Sequence, residues 1–124
     1  MTCFWDSIIR GLYPDYRYTH HSLIEYLKKN NTLQILVLIN GNGLSNQQIG
    51  ENNEAVNIYD IRSIFGGYWC SSCDPFLILV CNTFQINIIH KLLNTTIDYT
   101  INNPKFTILL NSNYSHMSFQ GRKK

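Results

Sequence analysis

The spacing of apolar residues at the start of the chain predicts an amphipathic helix. One face of that helix would carry Phe4, Trp5, Ile8, Ile9 and Leu12. Cys3 directly precedes this pattern, where the unpaired N–H groups and the positive end of the helix dipole would point. A thiolate is stabilised in such a place, so Cys3 is a candidate nucleophile. The alternative is a small buried side chain near a chain end.

Apolar spacing predicts further helices in the first two thirds of the chain. Thr19 fits the N-cap of a helix over residues 20–30, and helical spacing returns over residues 54–65. The apolar run over residues 33–39 suits either a buried helix or a strand. Residues 40–52 are predicted to form a turn followed by a polar loop, because Gly and Asn interrupt the apolar pattern.

In the last third the pattern changes from helix to strand. A short buried helix is expected over residues 74–82, with Asp74 as its N-cap and Pro75 at its first position. Strands are then predicted over residues 84–89, 97–101, 106–110 and 114–119, the third of them central in a sheet. Helices followed by a small, mostly antiparallel sheet predict an α+β fold.

Composition places the chain among globular proteins and narrows its partners. With 124 residues, 44% hydrophobic and 15% charged, it is expected to form a single domain over residues 1–124. The net charge of +2 is too small to imply a nucleic-acid partner, and the apolar runs are too short to span a membrane. We therefore expect a soluble, cytoplasmic protein with reduced thiols. Asn and Ile supply about a quarter of the residues, a bias common in AT-rich genomes, so a viral protein acting in the host cytoplasm is one interpretation.

Cys70 and Cys73 form a Cys-x-x-Cys motif, which occurs in zinc sites and in redox proteins. A structural zinc ion would need two further ligands, for which Cys81 and His90 are available. A redox motif normally opens a helix, whereas the predicted helix begins only at Asp74. Both interpretations stay open as alternatives, and the expectation is a protein without a metal or a cofactor.

Four segments carry a resemblance to one protein family. They are CFWDSI at residues 3–8, a helix that leads to Trp69, FQINI at residues 84–88, and ILLNSNYSH at residues 108–116, which ends on His116. A cysteine that begins the first helix, with a histidine on a late strand, is the layout of papain-like cysteine peptidases. In the order and spacing of these segments the chain resembles the OTU (ovarian tumour) family of deubiquitinating proteases.

The resemblance implies a papain-like OTU fold and a catalytic site that needs no metal. Cys3 would be the nucleophile and His116 the general base, and backbone N–H groups of Thr2 and Cys3 would bind the oxyanion. A third side chain would orient the imidazole of His116. The candidates for that role are Asn113, which is favoured, and Asn111 and Ser118.

The resemblance also implies a substrate. It would be the isopeptide bond at the C-terminus of ubiquitin or of a ubiquitin-like modifier, whose basic tail would lie in a narrow channel near Trp69. Three acids are available for the arginines of that tail, namely Glu51, Glu54 and Asp60.

Two features depart from the family's pattern. The family usually has an acidic residue and a glycine just before its cysteine, where this chain has Met1 and Thr2. The family's histidine is often followed, two positions on, by Asp or Asn, where this chain has Ser118. Two other classes therefore stay open: a catalytically inactive OTU-like module that binds ubiquitin or a host protein, and a small interaction protein of unrelated α+β fold.

Overall fold

The computed structural model describes residues 2–124, apart from the side chain of Ser71, and Met1 lies outside the described residues. Helices precede the main strands, as the sequence pattern predicts. The helices are α1 (Cys3–Leu12), α2 (His20–Lys29), α3 (Asn46–Ile58), a 3-10 helix (Ile61–Gly66) and α4 (Cys70–Phe84). The strands are β1 (Leu38–Ile39), β2 (Asn42–Gly43), β3 (Asn87–Leu92), β4 (Thr95–Thr100), β5 (Thr107–Ser112) and β6 (Met117–Lys123).

The described strands form one mixed sheet in the order β2-β1-β4-β3-β5-β6. The pair β3 and β5 runs parallel, and the other neighbouring pairs run antiparallel. Strand β5 lies between β3 and β6, so the predicted interior position of this strand is confirmed. The α+β class predicted from the sequence is confirmed as well.

Helix α1 buries one apolar face, as its pattern predicts. Phe4, Trp5, Ile8 and Leu12 are each at most 1% exposed. Burial of such side chains contributes about 1.5–3 kcal/mol each. The helix lies directly on the sheet, because a Cβ added at Gly11 would come within 2.6 Å of the Ile108 side chain on β5. This close packing fixes the C-terminal end of α1 against the sheet.

The polar loop predicted over residues 45–52 is wrong, because α3 begins at Asn46. Ser45 and Gln48 form a capping box: the Ser45 hydroxyl accepts from the Gln48 N–H, and the Gln48 side chain accepts from the Ser45 N–H. Of the residues in α3, Asn52 and Val56 are buried. So small an apolar face gives little hydrophobic periodicity, although the cap itself marks the start of the helix.

The helix predicted over residues 54–65 is interrupted. Helix α3 ends at Ile58, and the 3-10 helix follows after Asp60, whose carboxylate accepts from the Arg62 N–H and so caps its start. The apolar run over residues 33–39 is mostly irregular, and its last two residues form β1. The predicted helix over residues 20–30 and its N-cap Thr19 are confirmed, since the Thr19 side chain accepts from the Ser22 N–H.

Helix α4 begins at Cys70, four residues earlier than Asp74, so the predicted cap at Asp74 is wrong. Pro75 is the sixth residue of the helix rather than its first. The helix also continues to Phe84, and Gln85 ends it in the left-handed conformation at φ 58°. The strand predicted from residue 84 therefore starts later, at Asn87, because Phe84 packs its ring against those of Tyr16, Tyr18 and Tyr26.

The final strand also starts later than predicted. Residues 114–116 form the turn before β6, which begins at Met117. His116 therefore lies directly before the strand instead of within it. None of the described helices is long and apolar enough to cross a membrane.

Candidate functional site

The two ends of the chain meet at Cys3. Its sulfur accepts a hydrogen bond from the backbone N–H of Met117, with an Sγ to N distance of 3.5 Å. Met117 directly follows His116, so the first residue of α1 lies against the end of the histidine-bearing turn. Cys3 is 9% exposed.

Ser7 holds the first two turns of α1 against β6. Its hydroxyl donates to the Cys3 carbonyl oxygen at 2.6 Å and lies 3.3 Å from the Met117 carbonyl oxygen. Ser7 and Met117 are both buried, so water does not compete for these contacts. Ser7 is thus a buried polar side chain that joins α1 to β6.

His116 is exposed and is carried by a tight turn that Asn113 stabilises. The Asn113 Oδ1 accepts from the N–H groups of Ser115 and His116, at 3.0 and 2.9 Å, and the Asn113 N–H donates to the His116 carbonyl oxygen at 2.9 Å. The Asn113 side-chain oxygen is therefore engaged with the backbone of the turn. It positions His116 through the main chain.

A second contact fixes the same turn from the side of α4. The Tyr68 N–H donates to the Ser115 carbonyl oxygen at 3.1 Å. Gly67 makes this approach possible, since its φ is +78° and an added Cβ would lie 2.7 Å from the Ser115 oxygen. The segment before α4 thus clamps the turn that carries His116.

His116 faces a small polar cavity of about 180 Å³. The other lining residues are Asn111, Ser112, Asn113 and Ser118. The structure therefore brings all three candidates for the orienting role together with the histidine, although they come from β5, the turn and β6. Asn111 and Ser118 are cross-strand partners, which fixes their relative position.

The oxyanion prediction concerns the backbone N–H groups at the N-terminus of α1. Thr2 is the N-cap residue, but its side chain makes no capping hydrogen bond and donates instead to Asp6 at 2.6 Å. The first-turn N–H groups of a helix have no partner within the helix. His20 also bonds to Asp6, at 2.6 Å. Burial would raise the pKa of Asp6, but the hydrogen bonds from Thr2 and His20 outweigh it and lower the pKa below its usual value.

Trp69 is 57% exposed and directly follows the clamp residue Tyr68. Its indole N–H donates to the Gly66 carbonyl oxygen at 2.8 Å, so the ring is held at the surface by its own segment. A large exposed aromatic ring beside the His116 turn is available for contact with a partner. The role of Trp69 beside a substrate channel stays a prediction.

The three predicted acids do not share one environment. Glu51 lines a cavity of about 330 Å³ between α3 and α4 and accepts from the Gln47 amide at 3.0 Å. Asp60 lines a different cavity and pairs with Arg62 at 2.6 Å. Hydrogen bonds from Arg62 lower the pKa of Asp60 to about 2. Glu54 is exposed on α3.

A polar cluster around the buried Tyr68 side chain is missing from the sequence-based prediction. The Tyr68 hydroxyl donates to Asp74 at 2.6 Å and lies 3.2 Å from the Cys70 sulfur. The Tyr68 ring stacks on Phe4 and meets His90 edge to face. Burial raises the pKa of Asp74 to about 6, even though the Tyr68 hydrogen bond lowers it. Tyr68 thus contacts the His116 turn through its backbone N–H and Asp74 through its hydroxyl.

His90 lies on the buried face of β3, where the alternation of the strand could have placed it. Its Nε2 bonds to the Ser112 hydroxyl, and its Nδ1 is buried without a partner among the described residues. Burial lowers the pKa of His90 to about 4, so the ring is neutral at pH 7. Ser112 also lines the cavity beside His116, which connects the buried imidazole to the candidate site.

The zinc interpretation finds no support in the described part of the chain. No group of three or more His, Cys, Asp or Glu side chains there is arranged to hold a metal ion. Cys70 and Cys73 lie in the first turn of α4, whereas Cys81 lies near its end. All four cysteines have free thiols.

No protein-family model, curated protein or solved structure matches the chain. A functional proposal therefore rests on the residues and distances of the site itself.

Proposed function

We propose that this chain is a cysteine protease of the papain-like OTU type, which hydrolyses the isopeptide bond between the C-terminus of ubiquitin, or of a ubiquitin-like modifier, and a lysine. The observation that carries the proposal is the hydrogen bond from the Met117 N–H to the Cys3 sulfur. A sulfur at the start of the first helix, against the residue after a histidine, agrees with the cysteine–histidine layout of these peptidases.

The chemistry follows from the residue types. His116 takes the proton of the Cys3 thiol, and the thiolate attacks the isopeptide carbonyl carbon. Backbone N–H groups at Thr2 and Cys3 stabilise the oxyanion, helped by the dipole of α1. His116 then protonates the leaving lysine amine, and water, deprotonated by His116, hydrolyses the thioester.

The support around His116 favours a catalytic role over a purely structural one. The Asn113 side-chain oxygen accepts from two N–H groups of the turn, and the Tyr68 N–H donates to the Ser115 carbonyl oxygen of the same turn. An exposed imidazole on so well fixed a turn is free to contact a substrate, while its backbone stays in place. For the residue that orients His116 we propose Asn113, which would act by holding the backbone of the turn. Asn111 and Ser118 line the same cavity.

For the substrate, we propose that the tail of the modifier passes Trp69 on its way to Cys3. Glu51 and Glu54 on α3 are the acids proposed to meet its arginines. Asp60 suits this role less well, because Arg62 already neutralises it. Recognition of the modifier is thus assigned to the side of the site formed by α3 and the segment before α4.

One observation favours a second candidate function, an inactive OTU-like module that binds the modifier without cleaving it. Cys3 is 9% exposed, and a nucleophile must be reached by a carbonyl carbon. A binding module needs the surface around Trp69 but no access to the thiol.

The test uses ubiquitin with an electrophile in place of its C-terminal carboxylate. The adduct is measured by the mass of the intact protein and located by peptide mapping. The proposal predicts one ubiquitin on Cys3, no adduct in Cys3→Ala, and a rate about a hundredfold lower in His116→Ala. Cys70→Ser is the matched control, since Cys70 is the exposed thiol and its loss leaves the adduct unchanged.

An adduct on Cys70, or a Cys3 adduct that forms equally fast without His116, would contradict the proposed protease. A folded protein that binds ubiquitin in a titration but forms no adduct would identify the inactive module. Absence of both adduct and binding would overturn the ubiquitin proposal.

A further inference from the structure

The Cys-x-x-Cys motif occupies the first turn of a long helix. Cys70 and Cys73 are the first and fourth residues of α4, which has 15 residues. Side chains three apart on a helix are neighbours on one face, within reach of a disulfide after a small adjustment. Cys70 is exposed, whereas Cys73 is 2% exposed. The motif therefore opens a helix, which the sequence pattern does not predict, although the element before it is a 3-10 helix rather than a strand.

Cys70 begins a short chain of hydrogen-bonding groups that ends on the half-buried carboxylate of Asp74. The Tyr68 hydroxyl donates its hydrogen to Asp74 at 2.6 Å and lies 3.2 Å from the Cys70 sulfur. A phenol has one hydrogen, so the S–H of Cys70 is the donor in the second contact. A proton can therefore pass from Cys70 to Asp74 through the Tyr68 hydroxyl, which gives up one proton as it accepts another.

The environment of these groups suits such a transfer. Burial raises the pKa of Asp74 to about 6, so its carboxylate is a stronger base than an exposed one. Burial also raises the pKa of Tyr68 well above its usual value, so this side chain stays a neutral hydroxyl. Burial raises the pKa of Cys73, which leaves the exposed thiol to react first.

We propose that Cys70 and Cys73 form a thiol–disulfide exchange pair, in which Cys70 attacks an external disulfide and Cys73 resolves the product. Cys70 lines the cavity of about 330 Å³ between α3 and α4, so a small disulfide has room beside it. The site lies close to Cys3, which after burial contributes to the raised pKa of Cys73, but the exchange reaction does not depend on the proposed protease function.

The reaction balances with a low-molecular-weight disulfide as the oxidant, such as oxidised glutathione. The Cys70 proton moves to Asp74, and the Cys70 sulfur attacks one glutathione sulfur, which breaks the glutathione disulfide and releases one glutathione. The Cys73 sulfur then attacks Cys70 and releases the second glutathione. Two protein thiols become one disulfide, one disulfide becomes two glutathione thiols, and both protein protons end on the released glutathiones.

The experiment treats the reduced full chain with oxidised glutathione and follows it by intact mass and peptide mapping. The proposal predicts that the wild-type chain acquires a disulfide between Cys70 and Cys73 and retains no glutathione. Cys73→Ser is expected to retain one glutathione on Cys70, and Cys70→Ser to give neither product. Cys81→Ala is the matched control, because Cys81 is a free cysteine near the other end of α4, and it is expected to behave as the wild-type chain does.

Tyr68→Phe, made together with Cys73→Ser, tests the proton path. It keeps the ring and removes the hydroxyl, so glutathione should add to Cys70 about tenfold more slowly. An unchanged rate would overturn the role given to Tyr68 and Asp74.

Glutathione that stays on Cys70 in the wild-type chain, a disulfide that includes Cys3, or no oxidation at residues 70–73 would overturn the exchange pair. Far-UV circular dichroism checks that the Cys73→Ser chain is folded. If that variant unfolds, Cys73→Ala replaces it, and the wild-type peptide map decides in either case.

Discussion

The sulfur of Cys3 accepts a hydrogen bond from the backbone N–H of Met117, although 114 positions separate the two residues. The bond joins the start of α1 to the start of β6. Its position next to His116 turns two isolated sequence features, a cysteine before a helix and a histidine before a strand, into one candidate site.

Gly67 is expected to tolerate no side chain. Gly67→Ala should lower the free energy of unfolding by about 1–2 kcal/mol through its positive φ, and further because the Cβ would lie 2.7 Å from the Ser115 oxygen. Urea unfolding measures the change. Gly41→Ala is the matched control, since Gly41 has φ +83° and no atom within 4 Å of an added Cβ. Equal losses in the two variants would contradict a clamp at Ser115.

Asn113 is expected to act through its side-chain oxygen. Asn113→Ala removes the acceptor for the N–H groups of Ser115 and His116, so stability should fall by about 1 kcal/mol and labelling of Cys3 by electrophilic ubiquitin should slow. Asn113→Asp keeps an oxygen at the same place and should retain most of both properties. If the aspartate variant is as impaired as the alanine variant, the turn is not what Asn113 supports.

The capping box at Ser45 is expected to determine the start of α3. Ser45→Ala should lower the free energy of unfolding by about 1 kcal/mol, because the Gln48 N–H loses its acceptor. Ser45→Asp should restore most of that stability, since its carboxylate can accept the same hydrogen bond. Denaturant unfolding of the three chains makes the comparison, and indistinguishable alanine and aspartate variants would speak against the cap.

Asp74 and His90 are expected to give opposite pH dependences. The folded pKa of Asp74 is raised from 3.8 to about 6, so the folded chain binds more protons there and stability from this group falls as pH rises between these values. The folded pKa of His90 is lowered from 6.5 to about 4, so the unfolded chain binds more protons and stability rises with pH over that window. In the wild-type chain the two effects largely cancel.

Asp74→Asn removes one of the two effects and keeps an acceptor for Tyr68. Its free energy of unfolding should therefore rise between about pH 4 and pH 6.5, by an amount of the order of 2 kcal/mol, as the His90 contribution appears alone. Urea unfolding at several pH values provides the measurement. A variant whose pH profile equals that of the wild-type chain would contradict the raised pKa of Asp74.

The sequence predicts α1 well because Phe4, Trp5, Ile8 and Leu12 are buried together, and hydrophobic burial is what periodicity records. It predicts α3 poorly because that helix buries little, so its capping box is the main local signal. The sequence misplaces the start of α4 because Asp74 and Pro75 match a common helix start. In the structure the Asp74 carboxylate instead accepts a hydrogen bond from the Tyr68 hydroxyl.

The candidate site is likewise predicted only in part by the sequence. Cys3 and His116 could be proposed from helix position and family resemblance, but no local pattern indicates that Cys3 contacts Met117, 114 positions away. The clamp from Tyr68 to Ser115 and the engagement of the Asn113 oxygen are long-range or main-chain contacts, which side-chain periodicity does not record. Glu51, Glu54 and Asp60 are candidates because they are acids available to the basic tail that the resemblance implies, and the structure places Glu51 and Asp60 on different cavities.

The most direct measurement is cleavage of isopeptide-linked diubiquitin by the purified chain, followed by the appearance of free ubiquitin. The proposed protease predicts cleavage by the wild-type chain, none by Cys3→Ala, and a rate about a hundredfold lower for His116→Ala. A folded wild-type chain that releases no ubiquitin from any linkage, or a Cys3→Ala chain that still cleaves, would contradict the central claim.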